Sequence, residues 1–346
     1  MPRVGPLRQQ LLALGPHAGA HRVALRAGVS VLVPLLVLYA AGRTEWSIFA
    51  TFGAFTSLYG RDRVHRARWQ LQARLAVYLT TAVVLGTLVG MADARSWLAV
   101  PATAAVAALG SLASDAEGWH PPGPLFLVFA FAACAAVPSS PSDLPVALAV
   151  SGASAAFAVL VGNLGAWWRG GGDPGPPPTR RPSYAASLRW HVLPCSVGVL
   201  LAGAVSTGAG IGHPYWAMVS AVVPLVARDL RRQVVRGLHR VIGTGLGLVL
   251  AGLLLAVDPP TLAVVLGVAV LQVVAELLVG RNYALALVAV TPLALLMVHL
   301  AVPTPTATLL ADRGVETLLG VVAGLVVGYL TRVRHPKPAP GGSAPV

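Results

Sequence analysis

The chain has 346 residues, 56% of them hydrophobic and 11% charged, with a mean hydropathy of +0.73. A soluble domain averages about 45–50% apolar and about 25% charged residues, so this composition excludes an ordinary soluble enzyme, a disordered chain and a disulfide-stapled secreted domain. It indicates a polytopic membrane protein. The formal charge of +13 falls in short arginine clusters between apolar runs, the pattern of membrane-protein loops rather than of a nucleic-acid-binding face.

Apolar runs recur in order over 23–41, 46–60, 75–92, 97–113, 122–137 and 144–168. A Gly/Pro-rich linker, 169–187, follows with the run GGGDPGPPPT. The second half repeats the pattern over 188–207, 215–227, 241–257, 260–280, 283–302 and 313–331. The tail, 332–346, is rich in Pro and Gly and reads as disordered. The expected fold is all-α, with about twelve transmembrane helices in two six-helix repeats, 1–168 and 188–331. The first run resembles a signal sequence, but its length and its counterpart in the second half favour a retained span.

Charge supplies the orientation. With the N-terminus inside, the inner segments hold 22 of the 25 Lys and Arg residues, leaving only Arg43, Arg95 and Arg313 outside. The positive-inside rule therefore places both termini in the cytoplasm of a cell carrying the chain in its inner or plasma membrane. The acidic residues Asp115 and Glu117 fall in a loop expected inside, but acidic residues weigh little in that rule.

The halves read as a duplication. Each places a short apolar segment, headed by Trp46 or Trp216, before an Arg-Asp-led basic stretch, RDRVHRARWQLQAR (61–74) and RDLRRQVVRGLHR (228–240). An offset of 166 pairs Arg74 with Arg240, and Ser154, Ala158 and Gly162 with Gly320, Gly324 and Gly328. An even number of spans per half makes the repeats parallel. Small residues at four-residue spacing let helices approach closely in a membrane, and Gly243 and Gly247 suit the same role. The segments 46–60 and 215–227 are short for spans. Paired short segments point to a transport site, unless each helix continues into its basic stretch.

Carboxylates inside apolar runs are costly and tend to be functional. Glu276 and Glu316 are the proton-coupling candidates, although Glu316 can also pair locally with Arg313 at i, i+3. Arg240 opens its run and suits an anionic substrate, or serves as one more inner anchor. Tyr215, Trp216 and Trp46 suit an outer aromatic belt or stacking on an aromatic ligand. The two cysteines and the scattered histidines show no disulfide or metal-ligand spacing. No nucleophile–base pair or ATP motif occurs, so neither enzyme, cofactor nor metal is expected.

At PYWAMVSAVVPL (214–225), RGLHRVIGTGLG (236–247), RNYALALVAVTPLALL (281–296) and DRGVETLLG (312–320) the chain resembles the fusaric-acid-resistance-like family of the aromatic acid exporter group. The resemblance is clearest over 188–331. It implies an inner-membrane transporter exporting aromatic carboxylic acids, and directs attention to Tyr215, Trp216, Arg240, Gly243, Arg281, Asn282, Tyr283, Arg313 and Glu316. Many members carry a large cytoplasmic domain where this chain has only the linker, and some work with an adaptor, of which the chain gives no sign. The expected partners are the bilayer and a small organic anion, with no nucleic acid; the small-residue faces also permit a homo-oligomer. The leading reading is a secondary transporter of organic anions. A passive anion channel and a non-transporting membrane scaffold are the alternatives.

Overall fold

The computed structural model describes residues 7–16, 19–61, 63, 65–167, 183–227, 229–302 and 304–331. Most of the expected linker, 169–182, and the tail, 332–346, lie outside the described residues. Among the described residues every regular element is a helix. In chain order these are α1 (Leu7–Leu12), α2 (Ala20–Ala40), α3 (Ser47–Ala54), α4 (His65–Gly90), α5 (Arg95–Glu117), α6 (Leu125–Ala136) and α7 (Asp143–Trp167). There follow α8 (Tyr184–Gly208), α9 (Tyr215–Leu225), α10 (Leu230–Ala256), α11 (Thr261–Val279), α12 (Tyr283–Ala301) and α13 (Thr306–Leu330).

Eight of these, namely α2, α4, α5, α7, α8, α10, α11 and α12, are long and apolar enough to cross a membrane. Helix α13 has 25 residues and reaches about 37 Å, beyond a hydrocarbon core of about 30 Å. Helices α3, α6 and α9 have only 8, 12 and 11 residues. They do not face lipid along their length. All of α9 is buried, and so is all of α3 but Ile48. Enclosure by the long helices is what makes a short helix tolerable at membrane depth, because its free backbone groups then meet protein rather than hydrocarbon.

The basic stretches behave differently from the expected continuous or late-starting helices. After α9 the chain turns and α10 begins at Leu230, capped by the Asp229 carboxylate, which accepts from the Arg232 backbone N–H at 2.9 Å. Helix α10 thus starts eleven residues before the expected span, and Arg240 lies well inside it. Likewise α13 starts at Thr306, so Arg313 sits inside a helix instead of opening one. Asn282 caps α12, its side-chain oxygen accepting from the Ala284 and Leu285 N–H groups at 2.9 and 3.2 Å. These starts put α10 and α12 side by side at one end of the bundle, called here the arginine-rich end, while α13 begins at the other.

Glycine sets the closest helix contacts. A methyl group on Gly320 or Gly324 would strike the backbone carbonyl of Ala217 or Ala221 on α9. On Gly243 it would strike the Ala284 carbonyl, and on Gly247 it would lie 2.6 Å from Thr291 Cβ, both on α12. Gly328 faces the amide of Gln233, whose Nε2 donates to the Ala227 carbonyl at 2.8 Å. In the first half, Gly162 faces Gln72, whose Nε2 donates to the Tyr59 carbonyl at 3.0 Å. Gly162 and Gly328 are therefore matched at the expected offset, but the two glutamines are not. Large apolar side chains such as Val249, Leu253, Val322 and Leu330 point outward, as lipid-facing positions do.

Candidate functional site

Helix α12 lines an internal cavity of about 840 Å³ with one face, from Tyr283 through Leu287, Val290 and Ala294 to Val298. That stripe runs about 22 Å along the helix axis, so the cavity passes from the arginine-rich end deep into the bundle. Its two sides differ in chemistry. Short helices α3 and α6 and the turn after α3 contribute Phe52, Phe55, Phe126 and Phe129. These rings pack edge to face, with centroids 5.0 Å apart for Phe52–Phe129 and 5.2 Å for Phe55–Phe126, the geometry that the ring quadrupoles favour.

The other side is cationic. Arg61, Arg236, Arg240, Arg281 and Arg313 all line the cavity, against a single carboxylate among the described residues, Glu276. That carboxylate is taken: Arg61 donates to Glu276 Oε2 at 2.9 Å. Arg236 lies over the Tyr283 ring at 5.8 Å. Arg240 and Arg313 are the deepest, 3% and 2% exposed. Arg240 meets only neutral oxygens, donating to Ser220 Oγ at 3.2 and 3.3 Å and to Tyr283 Oη at 3.4 Å. Arg313 lies over the Trp216 ring at 5.0 Å, and its Nε has no hydrogen-bond partner. Neither forms an ion pair among the described residues. Each is close enough to the other for mutual Coulombic repulsion.

Behind the cavity wall lies a second polar cluster. Glu316 is fully buried; its Oε1 accepts from Ser206 Oγ at 2.9 Å and from the His213 N–H at 3.2 Å, and its Oε2 has no partner. The His213 ring is stacked on Trp216, centroids 4.7 Å apart, and its Nδ1 is 2.8 Å from Asp312 Oδ2. The expected local Arg313–Glu316 ion pair does not form, because Arg313 turns to Trp216 and the cavity while Glu316 turns to Ser206.

At the arginine-rich end, residues following α1 lie across the cavity and contribute Ala13, Leu14 and Gly15 to its lining. The Leu11 carbonyl accepts from Asn282 Nδ2 at 2.9 Å and from His239 Nε2 at 3.1 Å, so that ring nitrogen carries the proton. The Ala13 carbonyl accepts from Asn282 Nδ2 at 3.2 Å, and the Gly15 N–H donates to the Arg281 carbonyl at 2.8 Å.

Of the residues singled out from the sequence, Tyr215, Arg240, Arg281, Asn282, Tyr283 and Glu276 come together on this cavity. Trp216 and Glu316 stand one layer behind it. Trp216 is 0% exposed and so is no membrane-belt residue: its ring is sandwiched between His213 and Arg313. Arg240 is no headgroup anchor either, being enclosed by α9 and α12. The phenylalanine wall, Arg61 and the segment after α1 escaped sequence reasoning, since only tertiary packing brings the first half against the second. Arg313, to which the family resemblance also directs attention, joins them on the cavity. Among the described residues there is no cluster of metal-ligating side chains.

Residues 199–327 match the family model described as fusaric acid resistance protein-like. A curated relative, "Uncharacterized membrane protein YvaC" of Bacillus subtilis (strain 168), is 24% identical over 173 residues, covering 50% of this chain and 27% of its own length. The chain thus matches little more than a quarter of that relative. No solved structure matches. Together with the apolar helices, these matches make this a membrane protein. The matched segment contains Tyr215, Arg240, Arg281, Tyr283, Arg313 and Glu316, whereas the phenylalanine wall lies outside it.

Proposed function

We propose that this protein is a membrane transporter for organic anions, and that the cavity between the halves is its binding chamber. The observation that carries the reading is the buried pair Arg240 and Arg313, which line that cavity without a carboxylate partner among the described residues. A buried unpaired charge is costly, and an arginine at the centre of a bilayer costs at least about 2.5–3.5 kcal/mol. An anion entering the cavity offsets that cost, because a guanidinium matches a carboxylate in shape as well as charge. The phenylalanine wall opposite suits an aromatic or apolar body on the same ligand. Aromatic carboxylates, the class implied by the family resemblance, satisfy both walls. Export is the direction that resemblance implies.

The architecture we assign to this function is twelve segments in two parallel repeats, with both termini in the cytoplasm of a cell whose inner or plasma membrane carries the protein. The matched contacts Gly162–Gln72 and Gly328–Gln233 support the repeat. The concentration of Lys and Arg in the segments assigned to the inside supports the orientation. No catalytic step is assigned to the chain. A passive channel on the same cavity is the second reading, favoured by the continuous lining along α12 from Tyr283 to Val298.

Uptake of 4-hydroxybenzoate into proteoliposomes tests the assignment. The expected result is protein-dependent flux that falls at least tenfold in Arg240→Gln. Flux no greater than through protein-free vesicles, for this and other aromatic acids, overturns it. Flux that follows voltage alone and stops at electrochemical equilibrium selects the channel.

A further inference from the structure

Glu316 lies behind the deep end of the anion cavity, and its position sets a sign for coupling. Resting on the anion-transport reading above, we infer that an anion seated at Arg313 takes up a proton with it on Glu316, so that the protein moves the two together rather than exchanging one for the other.

Three observations carry this. First, Arg313 and Glu316 stand three residues apart on α13, within Coulombic range but without an ion pair between them. The guanidinium faces the cavity, and the carboxylate faces away from it. Second, Glu316 has only neutral donors, Ser206 Oγ and the His213 N–H, and its Oε2 meets nothing. An added proton on Oε2 therefore breaks no existing bond. Third, the other charged groups around the carboxylate are already engaged. Asp312 holds the His213 ring at 2.8 Å, and Arg240 stands against Ser220 and Tyr283. Tyr215 packs beside them as a neutral phenol.

When the cavity is empty, an ionised Glu316 is supported by the Ser206 and His213 hydrogen bonds and, beside them, by the positive charge of Arg313. An anion on Arg313 cancels that charge's share and adds its own repulsion, and the carboxylate responds by binding a proton. At an effective dielectric constant of about 20, two like charges within about 8 Å change affinity by roughly tenfold or more. Linkage makes the effect reciprocal: protonated Glu316 raises anion affinity by the same factor. The anion and the proton therefore occupy the protein together. For a monoanion the loaded carrier then gains no net charge, so flux follows the product of the anion and proton gradients.

The test uses the purified full-length protein in detergent, with benzoate as the probe. In weakly buffered solution at about pH 9, where a buried carboxylate can still be ionised, adding benzoate is expected to raise the pH through proton uptake. Benzoate affinity is expected to rise at least tenfold between about pH 9 and about pH 5, where the probe remains largely ionised. In Glu316→Gln, which keeps the side chain's size and its bonds to Ser206 and His213, the uptake is lost. The affinity of that variant is then independent of pH and close to the acid value of the wild type. Proton release on binding, a pH-independent wild type, or uptake that persists in Glu316→Gln overturns the inference while leaving the anion site standing. If Glu316→Gln does not fold, the sign of proton uptake and the pH dependence of the wild type decide alone. Failure of benzoate and of larger aromatic acids to bind at any pH overturns the anion-transport reading itself, and this inference with it.

Discussion

Arg240 illustrates how a single side chain can serve function against stability. It is 3% exposed, its partners are a serine and a tyrosine, and it stands close enough to Arg313 for like-charge repulsion. Removing a buried charge that lacks a counter-ion relieves desolvation and repulsion. Arg240→Gln is therefore expected to raise the unfolding temperature of the ligand-free protein in detergent, or leave it unchanged, while weakening benzoate binding at least tenfold. A fall in stability without ligand would show that Arg240 has a structural partner instead. Glycines separate in the same way by what surrounds them. A methyl on Gly320 meets the Ala217 backbone carbonyl, which has no side-chain freedom to yield, whereas Gly245 has open space around it. Gly320→Ala should cost about 1–3 kcal/mol through overpacking. Gly245→Ala should be neutral or stabilise by about 0.5–1 kcal/mol through reduced chain entropy. Thermal unfolding of the two variants side by side checks both.

At the scale of elements, the segment after α1 stands apart from the other walls of the cavity. It is held by polar contacts to Asn282, His239 and the Arg281 carbonyl, while Leu12 and Leu14 remain 67% and 60% exposed. An element with few buried apolar contacts opens at low free energy. Asn282 makes two of those contacts and also caps α12. Asn282→Asp keeps the capping oxygen but replaces the donating amide with an acceptor. Hydrogen exchange at Gly15 should therefore quicken in Asn282→Asp, while the first turn of α12 stays protected. Equal loss of protection at both places would mean that the cap, not the segment, is what Asn282 mainly holds. Helix α9 makes the opposite case: 11 residues, all buried, pinned by glycines on α13. Its composition is as apolar as that of a spanning helix, so only its length hinted that it stops inside the protein.

For the whole molecule, the division of labour between halves is the consequence with most bearing on function. The second half supplies Arg236, Arg240, Arg281 and Arg313, and the first supplies the phenylalanine wall and Arg61. The two halves therefore bring different chemistry to the cavity. Labelling of single cysteines, introduced near Arg43, Arg95, Arg232 and Arg281 after replacement of Cys134 and Cys195, tests the orientation in intact cells. The positions near Arg43 and Arg95 should react with an impermeant reagent, and those near Arg232 and Arg281 only after permeabilisation. Reaction at Arg232 in intact cells would reverse the topology.

Composition and pattern alone determined that the chain is helical and belongs in a membrane, because hydrocarbon solvent demands long apolar runs whatever their arrangement. They also singled out Arg240, Glu276 and Glu316, since charged groups in such runs are conspicuous by their cost, whereas Arg281, Asn282 and Tyr283 came to notice only through the family resemblance. Tertiary structure alone decided what those groups meet. Glu276 is tied to Arg61, 215 residues away in sequence, and Trp216 is buried beneath Arg313 instead of lying at the membrane interface. It also decided where the aromatic wall falls, because phenylalanines in an apolar run carry no mark of whether they face lipid, core or cavity. Local sequence encodes the free energy of burying a residue, whereas its partners depend on how helices far apart in the chain pack together.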